Sequence, residues 1–333
     1  MTVNVHVFAP GRVNLIGDHT DYTGGLVMPM AIDRYTEIKG TRGGDRVRLT
    51  SYDEPDPVDL PLDVDDPQHA EPAWAKYVAG VVAEMHPTEG FTGHVSTDIP
   101  IGAGLSSSHA LQVAVAMALG HRGSIIDLAQ LTQRAENRSS GVPTGIMDQL
   151  SIAAGVKGHA LMIDCGALTV QPVPVPDDLE VVVQFIAHRT LVGSAYADRV
   201  AECAAAEALI GPLRDATPEQ ARSIDDPVLR MRAMHVTAEN QRVRDFAAAL
   251  AAGDLVEAGR LVKDGHESLC LLYATSTPVM DEAVERLNAT PGVYGARMTG
   301  GGFGGCVVAL TEPGVLTQGW VVQAVDGARV VES

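Results

Sequence analysis

Apolar and polar positions alternate most clearly at the start of the chain, where Val3, Val5 and Val7 fall on one face of a strand predicted over Val3 to Phe8. A long glycine-punctuated segment, Ala9 to Gly25, follows. Asp53 to Pro72 is so dense in Asp and Pro that it reads as a solvated excursion rather than a core element. Helical spacing then takes over, predicting helices over Pro72 to Glu84, Ser107 to Leu119, Ser124 to Arg138 and Gly145 to Ala153. In the second, Leu111, Val115 and Leu119 share a face; the third opens on Ser124 with Asp127 placed to complete a capping box. Strand patterns at Leu161 to Asp164 and Glu180 to Ala187 flank the Pro172, Pro174 and Pro176 passage, which suggests a domain boundary. Further helices are expected over Ser194 to Ile210, Pro227 to Ala252, Leu255 to Leu272 and Pro278 to Leu287. Two strand-like runs, Val293 to Thr299 and Cys306 to Thr311, enclose a glycine turn. With no internal repeat, the alternation fits an α+β protein, and 333 residues suggest two domains of about 150 residues each.

Charge changes the picture. Lys and Arg number 24 against 42 for Asp and Glu, a net charge of -18. Such a surface repels nucleic acid and anionic membranes, so neither is expected as a partner, and any polyanion must be held locally by backbone donors, a few cations or a metal. Cys165, Cys203, Cys270 and Cys306 lie far apart, with no CxxC pair and no nearby histidine read as being at metal-ligand spacing, so they read as buried or incidental thiols. No apolar run is long enough for a membrane span, and the N-terminus lacks a basic region, which suggests a cytoplasmic protein.

Four segments can carry chemistry. Gly102-Ala103-Gly104-Leu105-Ser106-Ser107-Ser108 leads straight into a helix, so two glycines permit a tight turn while hydroxyls and unpaired first-turn amides face outwards, either a place for phosphate that needs no basic side chain or simply a structural cap. It is neither a Walker A loop nor a nucleophile elbow. Arg12, Asp18, His19, Asp21 and Tyr22 crowd between glycines, as suits a polyhydroxylated ligand or a self-satisfied polar turn. Gly145 precedes Asp148 in a helical first turn that favours its ionised form, and Glu136 offers an oxygen ligand for magnesium or a solvated helix end. Gly300 to Gly305 implies close backbone approach, to a nucleotide site or within a bulged hairpin.

In this order and spacing the segments resemble the motifs of the GHMP kinase superfamily, and more closely the galactokinases. Ser194, Tyr196, Arg199 and Cys203, with His266 to Leu269, Tyr273, Ser276 and Asp281, extend the resemblance over nearly the whole chain. It implies a two-domain GHMP kinase fold: an N-terminal domain over 1–178 resembling ribosomal protein S5 domain 2, and a ferredoxin-like C-terminal domain over 179–333 whose last strand is a candidate to return to the first. It implies ATP and Mg2+, with Asp148 and Arg12 catalytic. Asp18, His19, Asp21, Gly145 and Tyr196 would meet the sugar, Gly102 to Ser107 the triphosphate, and Ser108 and Glu136 the metal. The activity implied is phosphorylation of the anomeric hydroxyl of D-galactose by a monomer. Another acceptor (N-acetylgalactosamine, galacturonate, arabinose, a cyclitol) or a non-catalytic sugar and ATP sensor are the alternatives. Departures from the family pattern are Asp18 for Glu, Thr144 for Cys, Gln112 for Glu, and His109, which at a helix start reads as a surface residue ahead of the alternative, a phosphate contact.

Overall fold

The computed structural model describes residues 3–188 and 194–332. Strand β1 (Val3–Ile16) runs well beyond the alternating valines, because the glycine-punctuated segment stays extended. Gly11 lies so close to the Leu105 carbonyl that a Cβ there would come within 2.9 Å of it, and a register shift between Pro10 and Gly11 bends the strand. β2 (Leu26–Arg42) pairs antiparallel along β1; its buried first half carries no polar alternation to betray it. With β3 (Arg46–Ser51), β4 (Val58–Pro61) and β5 (Phe91–Thr97) these form the main sheet, so the Asp/Pro-rich passage is corrected to include one short strand whose Val58 and Leu60 reach the core. β6 (His159–Asp164) extends β2.

β7 (Thr169–Pro174) replaces the expected linker of prolines: Pro172 and Pro174 share one parity, so their missing N–H groups fall on the side away from β6, the one strand β7 pairs with. A second sheet is formed by β8 (Glu180–Ala187), β9 (Val293–Thr299), β10 (Gly305–Thr311) and β11 (Trp320–Val322), in the order β11-β8-β10-β9. β12 (Arg329–Glu332) returns to the first sheet and pairs with β1.

Helices α1 (Ala75–Met85), α2 (Ser107–Ala118), α3 (Ile125–Ser140) and α4 (Met147–Ala154) cover the first sheet. The capping box at Ser124 and Asp127 forms as the sequence suggests. α2 is apolar on nearly every side, and its small residues, Ala110, Ala114, Ala116 and Ala118, let it lie against β1 and β2 as a central helix. In the second half come α5 (Ser194–Ile210), α6 (Pro218–Arg222), α7 (Pro227–Ala252), α8 (Leu255–Ser268) and α9 (Pro278–Asn288), with a π turn at Leu269–Tyr273 after α8. Among the described residues no helix is long and apolar enough to cross a membrane.

Candidate active site

Strand β1 delivers Arg12, and α4 delivers Asp148 in its first turn, onto the N-terminus of α2. Arg12 Nε donates to Asp148 Oδ1 at 2.6 Å and its Nη1 to the Gly104 carbonyl at 2.6 Å, so one guanidinium ties the carboxylate to the glycine loop. The Ser106 hydroxyl donates to Asp148 Oδ2 at 2.8 Å. Ser106 holds a left-handed backbone (φ 66°) and makes no side-chain cap, leaving the first amides of α2 unclaimed within the helix and its own hydroxyl free to turn to Asp148. Burial alone would raise the Asp148 pKa, but Arg12, His109 and Ser106 together hold it below the ordinary carboxylate value.

His109 is not the surface residue the sequence suggests. Its side chain is 14% exposed, and Nδ1 lies 3.3 Å from Asp148 Oδ2, because position 109 falls in the first turn of α2, directly facing α4.

A cavity of about 540 Å³ opens over this corner, lined by Arg12, Asp148 and His109, by Gly102, Gly104 and Ser106 to Ser108, and by the apolar wall of Trp74, Tyr77, Val95, Ile101 and Leu111. Ala103 and Leu105 of the same loop point into the core instead and contribute backbone only, the Leu105 carbonyl accepting from the Arg12 amide at 3.2 Å. Asp53 and Glu54, assigned to solvent in the sequence, stand on the cavity wall. Glu136 is buried in α3, and its Oε2 has no hydrogen-bond partner among the described residues; its charge is felt by Tyr77, one of the cavity residues. A buried carboxylate oxygen left over in this way suits a hard cation.

Asp21 and Gly145 meet on the other side of Asp148. A Cβ on Gly145 would fall 1.9 Å from Asp21 Oδ2, so the glycine is required for the carboxyl to fit. Desolvation, followed by the Asp148 charge, pushes the Asp21 pKa up to about 7. Both residues line a second cavity of about 440 Å³ with Tyr22, Gln133 and Thr144. Thr144 fixes that turn through Asn137 Oδ1, which accepts from its amide at 2.9 Å and from its hydroxyl at 3.0 Å. His19, Tyr22, Tyr196 and Tyr273 form an aromatic group with ring centres 4.8–5.9 Å apart where they pair. His19 Nδ1 is 3.0 Å from the Tyr22 hydroxyl, which in turn lies 2.5 Å from that of Tyr273.

Asp18 lines neither cavity. It is 1% exposed, one carboxylate oxygen engaged by Arg297 and the other accepting from the Gly300 amide at 2.9 Å. Arg297, wholly buried on β9, also reaches Glu239 of α7 at 3.1 Å, and Glu239 accepts from the Gly17 amide at 2.9 Å. This ion network joins the two halves of the chain and was not visible in the sequence. The glycine turn at 300–305 therefore makes its close approach to Asp18 and to the Thr275 carbonyl, which would lie 2.6 Å from a Cβ on Gly302; none of its residues lines the cavity over α2. Gln112 is buried in α2.

Comparisons with known proteins agree on one family. The galactokinase galactose-binding signature matches residues 2–41, the GHMP kinase N-terminal domain residues 74–156 and the GHMP kinase C-terminal domain residues 246–316. The chain is 45% identical to a galactokinase of Roseiflexus sp. (strain RS-1), covering 93% of this chain and 84% of that one, and 39% identical to a galactokinase of Homo sapiens, covering 98% and 92%. The crystal structure of Lactococcus lactis galactokinase complexed with galactose superposes with a TM-score of 0.87 at 31% identity, covering 98% of this chain and 95% of that one. A mevalonate kinase, at 20% identity and a TM-score of 0.67 over 98% of each chain, shares the fold.

Proposed function

The chain belongs to the galactokinase family of the GHMP kinases, and from that membership we propose how its residues divide the work of transferring the γ-phosphoryl group of ATP to the anomeric hydroxyl of galactose. The observation that carries the proposal is the Arg12–Asp148 pair closed over the N-terminus of α2. The triphosphate lies along Gly102, Gly104 and Ser106 to Ser108, facing the unclaimed amides of α2, with the adenine side against Trp74, Tyr77 and Ile101. An anion finds there the only kind of welcome a molecule of charge -18 can offer: backbone donors, one arginine and a cation. Ser108 and the orphaned Glu136 oxygen would hold Mg2+, which neutralises charge on the β- and γ-phosphoryl oxygens when bound.

Asp148 has about four lone-pair sites. Arg12 takes one on Oδ1, while Ser106 and His109 crowd Oδ2, so Oδ1 keeps a site for the sugar hydroxyl. Held at a low pKa, this carboxylate is a weak base, so its first task is to aim the anomeric oxygen in line with the γ-phosphorus; it takes the proton late, as the new O–P bond forms and the bridging bond to ADP breaks. Arg12 Nη1, now on the Gly104 carbonyl, is placed to follow the charge on the transferring group. Asp21, His19 and Tyr196 make the sugar wall, whereas Asp18 acts through Arg297 to hold the 14–18 segment in place. The 1–178 and 179–333 units would close on the two substrates, a division supported by two separate sheets and crossed by β12, which belongs to the second unit in sequence but to the first sheet in space.

The test is ADP release with Mg-ATP and galactose, N-acetylgalactosamine, galacturonate, arabinose or glucose, in the parent and in Asp148→Asn. Galactose should be preferred, and the variant should lose at least about 100-fold in kcat with ATP binding retained. Preference for another sugar overturns the acceptor; near-normal turnover by the variant removes Asp148 from the mechanism.

A further inference from the structure

Away from the phosphoryl-transfer site, three side chains of different chemistry converge at the end of α8. His266 lies in the last turn of that helix, Cys270 follows in the π turn, and Asp281 comes from α9. The sequence reading overlooked the pair: His266 and Cys270 are four residues apart and face the same way on a helical turn. Their ligand atoms are close in all three directions. Cys270 Sγ is 3.6 Å from His266 Nε2 and 3.2 Å from Asp281 Oδ1, and Nε2 is 3.4 Å from Oδ1. Zinc bonds of about 2.3 Å to sulfur and 2.0–2.2 Å to nitrogen and oxygen, at tetrahedral angles, put ligand atoms about 3.3–3.6 Å apart. The two edges that include the imidazole fall in this range, and the sulfur–oxygen edge is a few tenths of an ångström short of the sulfur end of it, so a cation would need only to spread the thiol and the carboxylate slightly.

We propose that His266, Cys270 and Asp281 form a binding site for a zinc-class divalent cation, with its fourth position open to water. The site is reachable: the Asp281 side chain is 47% exposed, and Leu271, the residue after Cys270, is 65% exposed. The donor set, one imidazole, one thiolate and one carboxylate, selects zinc or cobalt over magnesium, so the site does not compete for the cation that travels with ATP. Ser276 donates to the same carboxylate and orients it as an outer partner. Without metal, the thiol and the hydroxyl share Asp281 Oδ1 as donors, and His266 Nδ1 accepts from the Met298 amide at 3.4 Å. Binding sends the Cys270 proton to solvent and moves the imidazole proton from Nε2 to Nδ1. The contact that this tautomer gives up is a long, weak one. An occupied site would clip α9 to the end of α8, on the side where Met298 continues into the Arg297 network.

The experiment is a cobalt titration of the reduced, chelator-treated, untagged full chain without nucleotide, read by thiolate-to-cobalt charge transfer in the near ultraviolet. One equivalent should bind with that band, and zinc should abolish it. Cys270→Ser, which keeps a donor towards Asp281 and so should preserve the fold, should lose the band; His266→Gln and Asp281→Asn should each weaken cobalt binding at least tenfold. Zinc should raise the thermal midpoint of the parent and leave that of Cys270→Ser unchanged. No band in the parent, or an undiminished band in Cys270→Ser, overturns the proposal.

Discussion

Replacing Asp21 with Asn should make the enzyme more stable and less active, with a pH dependence that identifies the cause. The carboxyl is wedged against Gly145 and faces Asp148, and desolvation followed by that repulsion pushes its pKa from 3.8 up to about 7. A shift of about 3 units at about 1.4 kcal/mol each corresponds to at most about 4 kcal/mol. An acid whose native pKa is raised binds its proton more tightly when folded. Its contribution is therefore fully present below about pH 4, and is lost as pH rises through about 7. Asn carries no charge to repel, so urea unfolding of the free enzyme should give parent and variant similar stabilities at about pH 4 and a gap in favour of the variant that widens towards about 4 kcal/mol by pH 8. On the proposed placement of Asp21 in the sugar wall, galactose kcat/KM should fall at least tenfold above about pH 7, where the parent offers an ionised acceptor and the variant does not. A gap that is the same at every pH, or that favours the parent at pH 8, would refute the reasoning. The arrangement places a costly charge where a sugar hydroxyl can relieve it, as functional sites often do.

Two further substitutions probe other parts of the site. Arg297→Ala should destabilise the protein by about 3–5 kcal/mol in urea unfolding, because Asp18 and Glu239 would be left buried with their shared counter-charge removed; a loss below about 1 kcal/mol would mean that the network carries little weight. His109→Ala should lower kcat about 5–10-fold with KM for both substrates nearly unchanged, a loss of about 1–1.4 kcal/mol from removing the polar neighbour that stands 3.3 Å from Asp148 Oδ2. His109→Asn, whose amide can stand where Nδ1 stands, should restore most of it; equal defects in both variants would show that only packing matters there.

What the sequence disclosed depended on distance along the chain. The phosphate loop, the Asp148 turn and the Ser124 capping box are written in consecutive residues, and local rules sufficed for them. β2 escaped because its first half is buried on both faces and shows no alternation, and β7 because prolines of one parity look like a linker until a partner strand is known. Arg297 and Asp18 are 279 positions apart, so nothing local connects them. His109 was misjudged for a different reason: position within a first turn says that a residue is near the helix end, but only the placement of α4 says that the end is covered. The Cys270 cluster could have been found, since its histidine lies one helical turn upstream.

Strand β12 has a consequence for how the protein comes into being. Residues 329–332 form the edge of the sheet that holds Arg12, and Glu332 neutralises Arg42, which is 7% exposed, together with Arg122. A ribosome that has already made every other strand of this sheet has still not made its outermost one, and must synthesise the second sheet before the first can be finished. Loss of residues 329–332 would therefore damage a sheet built almost wholly from the first half of the chain.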